Sequence, residues 1–194
     1  MRGTKFLAAA LISAGTVSGG VGVYIAFAGF YEQQQAVKKL QKEEAGRPDS
    51  DLNGSRSQNP APDPRLHPGS AFASISFPRL KKTRAVFAGE AALKKGPAWL
   101  FESAIPGDWG NSVIAGHRDT HFRFLKDVRK GDRIVVKLER STYQYTIKVI
   151  KIVSPLDISL LGHTPGAVLT LVTCYPFYYV GHAPKRYIVR AEAN

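Results

Sequence analysis

The chain has 194 residues, which is room for one domain of ordinary size plus an appendage. It carries 27 Lys and Arg against 15 Asp and Glu, a formal net charge of +12, and a single cysteine, which excludes an internal disulfide framework. The basic residues are spread along the chain and match no nucleic-acid-binding motif. The charge therefore favours an anionic lipid or cell-envelope surface over nucleic acid.

The N-terminus holds an uncharged, mostly apolar stretch from Phe6 to Tyr31, preceded by Arg2 and Lys5. As a helix it would rise about 39 Å, more than the roughly 30 Å of a bilayer's hydrocarbon core. This length favours an uncleaved membrane anchor over residues 1–31, although Ala26-Phe27-Ala28 resembles a signal-peptide cleavage site. The basic residues after the stretch outnumber those before it, which locally favours a cytoplasmic domain, but long domains translocate largely regardless of such charges.

Residues 32–70 consist of two parts that differ in composition. As far as Ala45 the segment is rich in Gln, Lys and Glu and could continue a helix out of the bilayer. From Gly46 to Ser70 it contains five prolines and few large apolar residues, so it cannot bury a core. The whole segment is predicted to be an extracytoplasmic linker, first charged and then Pro-rich, that holds a domain away from a surface.

Residues 71–194 are predicted to form a β domain. Their apolar segments are short, often alternating and rich in Val, Ile, Tyr and Phe, with Gly and Pro turns between them. Eight such segments occur with little helical signal beyond 90–95 and 120–128, which predicts a mainly β, closed or nearly closed eight-stranded barrel. The predicted strands are Phe72–Phe77, Arg84–Ala88, Ala98–Phe101, Ser112–His117, Asp132–Leu138, Thr142–Val153, Ala167–Cys174 and Arg186–Ala191.

Three of these strands carry candidate reactive residues. Cys174 ends one apolar run, His117 ends another, and Arg186 opens a third. A lone cysteine is usually inert packing, and a free thiol with a pKa near 8.5 is only a few per cent ionised at pH 7. A neighbouring histidine and arginine would favour the thiolate. The set therefore indicates acyl-transfer chemistry, with Arg190, on the same face as Arg186, as the rival arginine.

The particular motifs resemble the sortase family, the membrane-anchored cysteine transpeptidases of bacterial envelopes. The resemblance covers about residues 72–192 and is carried by Ala115-Gly116-His117-Arg118, Thr170-Leu171-Val172-Thr173-Cys174 and Lys185-Arg186. Cys174-Tyr175-Pro176-Phe177, with Ala183-Pro184-Lys185-Arg186, looks most like class D sortases. The resemblance implies Cys174 as nucleophile, His117 as general acid and base, and Arg186 as a donor to the oxyanion or to substrate carbonyls. It also implies that Thr173 supports the substrate or the oxyanion.

The same resemblance implies a function at the cell membrane, with a single-pass anchor and an extracytoplasmic catalytic domain. The enzyme would cleave an LPxTG-like sorting signal near the C-terminus of exported proteins through a thioester. An amine of peptidoglycan or a pilin-like lysine would then accept the acyl group. No cofactor is expected; His121 follows His117 by four residues, but no third metal ligand is evident. The alternatives are a hydrolytic cysteine peptidase of the envelope and a non-catalytic, membrane-tethered β-barrel binding module.

Overall fold

The computed structural model describes residues 33–42, 67–179 and 181–194. The predicted anchor and most of the predicted linker lie outside these ranges. Within the described ranges, none of the helices has the length and apolar character needed to cross a membrane. Residues 33–42 are helical and are called α1 here.

Eight strands close into one barrel, in the order β1-β2-β3-β4-β7-β8-β6-β5. The mainly β, closed eight-stranded architecture predicted from the alternating segments is therefore confirmed. Three short 3₁₀ helices, Pro78–Leu80, Glu90–Lys94 and Arg123–Asp127, interrupt the strands. The strands are β1 Ala71–Phe77, β2 Lys82–Ala88, β3 Ala98–Trp99, β4 Gly110–Ala115, β5 Arg133–Leu138, β6 Thr142–Val153, β7 Ala167–Tyr175 and β8 Lys185–Ala193.

Two strands, β3 and β4, end two residues earlier than predicted. β3 ends at Trp99, because Ser103 folds back and donates from its backbone N–H and its hydroxyl to the Leu100 carbonyl at 3.0 and 2.7 Å. β4 ends at Ala115, so His117 lies two residues beyond the strand rather than at its end. The predicted helix over 120–128 is reduced to the 3₁₀ turn Arg123–Asp127.

The pairing of β4 with β7 determines where the strand ends lie. These two strands are parallel, with Ala115 level with Val172, whereas β8 is antiparallel to β7. Parallel neighbours direct their carboxyl ends to the same edge of a sheet, and an antiparallel neighbour begins there. The ends of β4 and β7 and the start of β8 therefore meet at one rim of the barrel.

The barrel interior is a single apolar core. Burial alternates along β5 and the first half of β6, whereas β1, β2, β4 and β7 each contain four or five consecutive buried residues. Burying each large aliphatic side chain contributes roughly 1.5–3 kcal/mol relative to leaving it in water. Trp99, predicted as core, is 4% exposed and packs on Phe72 with ring centroids 5.5 Å apart. The largest wholly buried side chains include Tyr145, Phe122, Ile75, Ile114, Leu125, Ile134, Ile147, Leu169 and Leu171.

Candidate active site

The candidate nucleophile and the candidate arginine are direct cross-strand neighbours. Cys174 is a free, half-buried thiol on β7, and its Cα partner on β8 is Arg186. Directly opposed residues of an antiparallel pair have their side chains on the same face, with Cβ atoms about 4.5–5.5 Å apart. Arg190 is paired instead with Thr170, four residues and about 13 Å further along β7. The strand register therefore favours Arg186 over Arg190 as the arginine that lies next to Cys174.

His117 is tied to the strand that carries Cys174 through the preceding glycine. The Gly116 backbone N–H donates to the Val172 carbonyl at 3.0 Å, and the Thr173 hydroxyl donates to the Gly116 carbonyl at 2.7 Å. Two hydrogen bonds thus extend the β4–β7 pairing to the residue next to His117. His117 itself is exposed, which is compatible with its predicted role as general acid and base.

Gly116 is needed at this position because there is no room for a side chain. A Cβ built on it would lie 2.6 Å from the Phe122 ring, which is wholly buried. Phe122 in turn donates its backbone N–H to the His117 carbonyl at 2.9 Å. The close contact at Gly116 and this hydrogen bond therefore fix the backbone of the turn at His117.

Thr173 is only 2% exposed, and its hydroxyl is engaged by Gly116. In this structure its side chain connects β7 to the turn that presents His117. A contact between Thr173 and a substrate stays a prediction.

The Arg186 guanidinium faces the loop between β7 and β8. Its Nη1 donates to the carbonyls of Ala183 at 3.3 Å and Lys185 at 3.2 Å. Both bonds use the same nitrogen, so the Nε and Nη2 donors of the guanidinium do not bind these two carbonyls. The side chain is half-buried. Arg186 is thus the cross-strand neighbour of Cys174, with its guanidinium held against the β7–β8 loop, and its role as a donor to an oxyanion stays a prediction.

Arg118 has a positioning role that the sequence reasoning missed. Its Nη2 donates to the carbonyls of Tyr179 at 2.9 Å and Gly181 at 3.0 Å, and its guanidinium lies 5.6 Å from the centre of the Tyr179 ring. The residue after the candidate histidine thus binds the loop that follows the candidate nucleophile. The only sequence signal was its place in the Ala-Gly-His-Arg motif.

A second aromatic residue of the same loop is held by the same segment. The Tyr178 ring lies 5.2 Å from the Arg123 guanidinium and 5.8 Å from the Lys126 ammonium. Hydrogen bonds from these two cations lower the pKa of the Tyr178 phenol. The loops that follow β4 and β7 therefore contact each other through three basic residues and two tyrosines.

His121 lies in the turn after β4 and is half-buried. Burial, followed by the positive charges of Arg84 and His117, lowers its pKa to about 4. It is therefore neutral at pH 7. Within the ranges that the structure describes, no three His, Cys, Asp or Glu side chains lie close enough to hold a metal ion.

A profile of the sortase domain matches residues 75–194. Sortase D of Bacillus subtilis strain 168 is 38% identical over 125 residues, which are 62% of this chain and 63% of that protein. The alignment thus spans less than two thirds of that relative's length.

Two solved structures are also similar. The catalytic domain of Bacillus anthracis SrtD has a TM-score of 0.59 at 34% identity, covering 73% of this chain and 97% of that one. A Clostridium perfringens Sortase D5 transpeptidase has a TM-score of 0.59 at 27% identity, covering 66% of this chain and 81% of that one. The resemblance to class D predicted from the segments around Cys174 and Arg186 is confirmed by these relatives. The chain belongs to the sortase family.

Proposed function

We propose that this protein is a membrane-anchored cysteine transpeptidase that cleaves an LPxTG-like sorting signal and transfers the acyl group to an amine of the cell envelope. One observation supports it most strongly. Cys174 lies directly across from Arg186, and the hydrogen bonds of Gly116 tie the turn bearing His117 to the strand bearing Cys174. A thiol with a histidine and an arginine at one rim suits nucleophilic acyl transfer.

In the first half-reaction the Cys174 sulfur attacks the carbonyl of the residue before the scissile bond, the threonine of the signal. The C–N bond breaks, and His117 gives its proton to the departing amine. Arg186 stabilises the negative oxygen of the tetrahedral intermediate. The product is a thioester between Cys174 and the exported protein.

In the second half-reaction an acceptor amine attacks the thioester. His117 takes a proton from this amine, the new amide forms, and Cys174 leaves as a thiolate. The partners are exported proteins with a C-terminal sorting signal and either a peptidoglycan amine or a pilin-like lysine. The similar Clostridium perfringens Sortase D5 is a transpeptidase, which supports transfer to an amine for this protein. The proposed location is the cell membrane, with a single-pass anchor and the barrel on its outer side.

The test uses the full chain in detergent, a fluorogenic LPxTG peptide and a soluble amine, with the products identified by mass spectrometry. We expect a ligated peptide from the wild type and a loss of at least about 10³-fold in rate for Cys174→Ala, because no other group can form the thioester. Arg140→Gln, an exposed change in the β5–β6 hairpin, is the control and should keep the wild-type rate.

Other products would identify the alternatives. Cleavage without any ligated peptide, at saturating amine, would indicate a hydrolytic peptidase. No turnover, together with a Cys174 thiol that a reactive peptide mimic cannot label in the folded protein, would indicate a binding module. Undiminished cleavage by Cys174→Ala would remove the thiol from the mechanism.

A further inference from the structure

The helix α1 is packed against the outside of the barrel although its sequence predicted a linker. Ala36, Val37 and Leu40 lie on one side of the helix at a spacing of three and four residues. They pack on a small apolar cluster outside the main core, formed by Ala85, Phe87, Ala92 and Ala98. We call this cluster the docking face.

Gln33 joins the helix to β2 as a substitute for a neighbouring strand. β3 pairs with β2 only at Phe87 and Ala88, so it does not reach Ala85. The Ala85 N–H donates to the Gln33 Oε1 at 2.9 Å, and the Gln33 Nε2 donates to the Ala85 carbonyl at 3.1 Å. The same nitrogen lies 3.3 Å from the Lys95 carbonyl. Gln33 is 5% exposed, so these backbone groups are satisfied by a buried side chain rather than by water.

Gly96 provides the space for this side chain. A Cβ built on Gly96 would fall 1.8 Å from the Gln33 Nε2 and 2.8 Å from the Phe87 ring. A larger residue at position 96 could not coexist with the docked amide. The hydrogen bonds, the apolar stripe and the missing Cβ are three separate features that favour the same docked helix.

The surface around the docked helix is basic. Exposed lysines lie on α1, namely Lys38, Lys39 and Lys42, and on the adjoining segment of the barrel, namely Lys94 and Lys95. Across α1 and residues 90–95, the sequence has a single acidic residue, Glu90. A positively charged cluster next to an apolar N-terminal stretch is suited to bind the anionic headgroups of a membrane.

We propose that α1 holds the β2 edge of the barrel against an anionic lipid surface, so that the catalytic domain is docked at the membrane instead of suspended from a long tether. The inference rests on the membrane anchor of the proposed function. Residues 32–70 in extended form could reach roughly 130 Å. Because Gln33 binds the barrel at Ala85, only Glu32 lies between this contact and Tyr31, the last residue of the apolar stretch.

The strand order turns the candidate active site away from this surface. Around the closed barrel β7 is three strands and β8 four strands from β2. The strands that carry Cys174 and Arg186 therefore form the wall opposite the docking face. Substrates and acceptors would approach from the envelope side of the barrel.

The test places the full chain in nanodiscs of anionic lipid doped with a headgroup-nitroxide lipid. In a Cys174→Ala background, a fluorophore is attached at Glu90→Cys near the docking face or at Glu192→Cys on β8. Both positions are exposed glutamates, so the two labels remove the same charge. A barrel of this size is about 30 Å across, so we expect the near label to be quenched at least about twofold more than the far label.

Two variants test the docking of α1, and a lysine variant and a change of lipid test the contribution of charge. Gln33→Ala and Gly96→Ala should bring the near-label quenching down to the far-label value while the circular dichroism spectrum of the barrel is retained. Replacing Lys38, Lys42 and Lys94 with glutamine, or using neutral lipid, should reduce near-label quenching in the otherwise wild-type chain.

Equal quenching of the two labels, or no effect of Gln33→Ala, would overturn the inference. A chain that fails to insert into nanodiscs would overturn both the inference and the anchor. The peptide-ligation assay with the Cys174-containing protein in detergent reports on the transpeptidase chemistry separately. Gln33→Ala should keep the wild-type ligation rate in that assay.

Discussion

Thr173 and Cys174 are consecutive residues of β7 with opposite surroundings. Side chains alternate between the two faces of a strand, so Thr173 points into the barrel, like Leu169 and Leu171, and Cys174 points to the outer face. Thr173 is buried and donates to Gly116, whereas Cys174 stays half-exposed opposite Arg186. One residue holds the turn that carries His117, and its neighbour has a free, partly accessible thiol.

The contact between Arg118 and the β7–β8 loop can be tested by mutation. Because its guanidinium binds the carbonyls of Tyr179 and Gly181, Arg118→Ala should release the β7–β8 loop and lower kcat/KM for the sorting peptide by about 10–100-fold. Arg118→Lys keeps the charge but not the fork and should recover only part of the loss. Kinetics with separate kcat and KM values check this, together with limited proteolysis of the loop.

Lys130→Gln, an exposed change in the segment after β4, is the control for Arg118. It should leave both the kinetics and the proteolysis pattern unchanged. Wild-type kcat/KM and an equally resistant loop in Arg118→Ala would show that the two hydrogen bonds do not position the loop.

Among the elements, the loop between β6 and β7 depends on one buried amide of β4. The Asn111 Nδ2 donates to the carbonyls of Leu160 at 3.0 Å and Gly162 at 3.2 Å, and its Oδ1 accepts from the Thr170 hydroxyl at 2.7 Å. Asn111 is 4% exposed, so water cannot replace these bonds. The loop it supports presents Leu156, which is 89% exposed.

Asn111→Ala should therefore lower the free energy of unfolding by roughly 2 kcal/mol, since it leaves a buried hydroxyl and loop carbonyls without their partner. Urea denaturation followed by fluorescence measures this. Thr146→Ala is the matched control, because it removes a solvent-accessible hydrogen bond to Asn194 and should cost less than about 0.5 kcal/mol. Equal losses of unfolding free energy in both variants would mean that burial of the Asn111 hydrogen bonds adds nothing to stability.

For the whole molecule, closure of the barrel is what joins residues that are distant along the chain. The bond from Thr173 to Gly116 spans 57 positions, and it depends on β4 and β7 being parallel neighbours. The same closure buries part of the His121 imidazole. Stability and the geometry of the candidate site therefore have a common origin.

The stability of the whole fold should depend on His121 between pH 6.5 and about 4. The unfolded histidine binds a proton near pH 6.5, whereas the folded one resists it down to a pKa of about 4. Unfolding thus takes up a proton in this window, and stability falls as the pH falls through it. The full difference would be roughly 3 kcal/mol, which partial exposure reduces to about 1–2 kcal/mol.

Denaturation at several pH values checks this, with His121→Gln as the comparison. The variant should show a shallower decline between pH 6.5 and 4. Asp132 acts in a lower window, because its hydrogen bond from Arg79 lowers its pKa below 3.8 and its contribution is lost only in stronger acid. Identical declines in the wild type and in His121→Gln would exclude the histidine as the cause.

The sequence by itself determined the eight strands, because period-two alternation and turn residues are local signals that survive in any context. It also indicated Cys174, His117 and Arg186 through short motifs. Only the tertiary structure decided that Arg118 binds the β7–β8 loop, that Asn111 supports the β6–β7 loop, and that Gln33 completes the edge of β2. Each of these is a side-chain bond to backbone carbonyls at least 49 positions away. Such bonds leave no periodic trace in the sequence, because their partners are neighbours only after the barrel has closed.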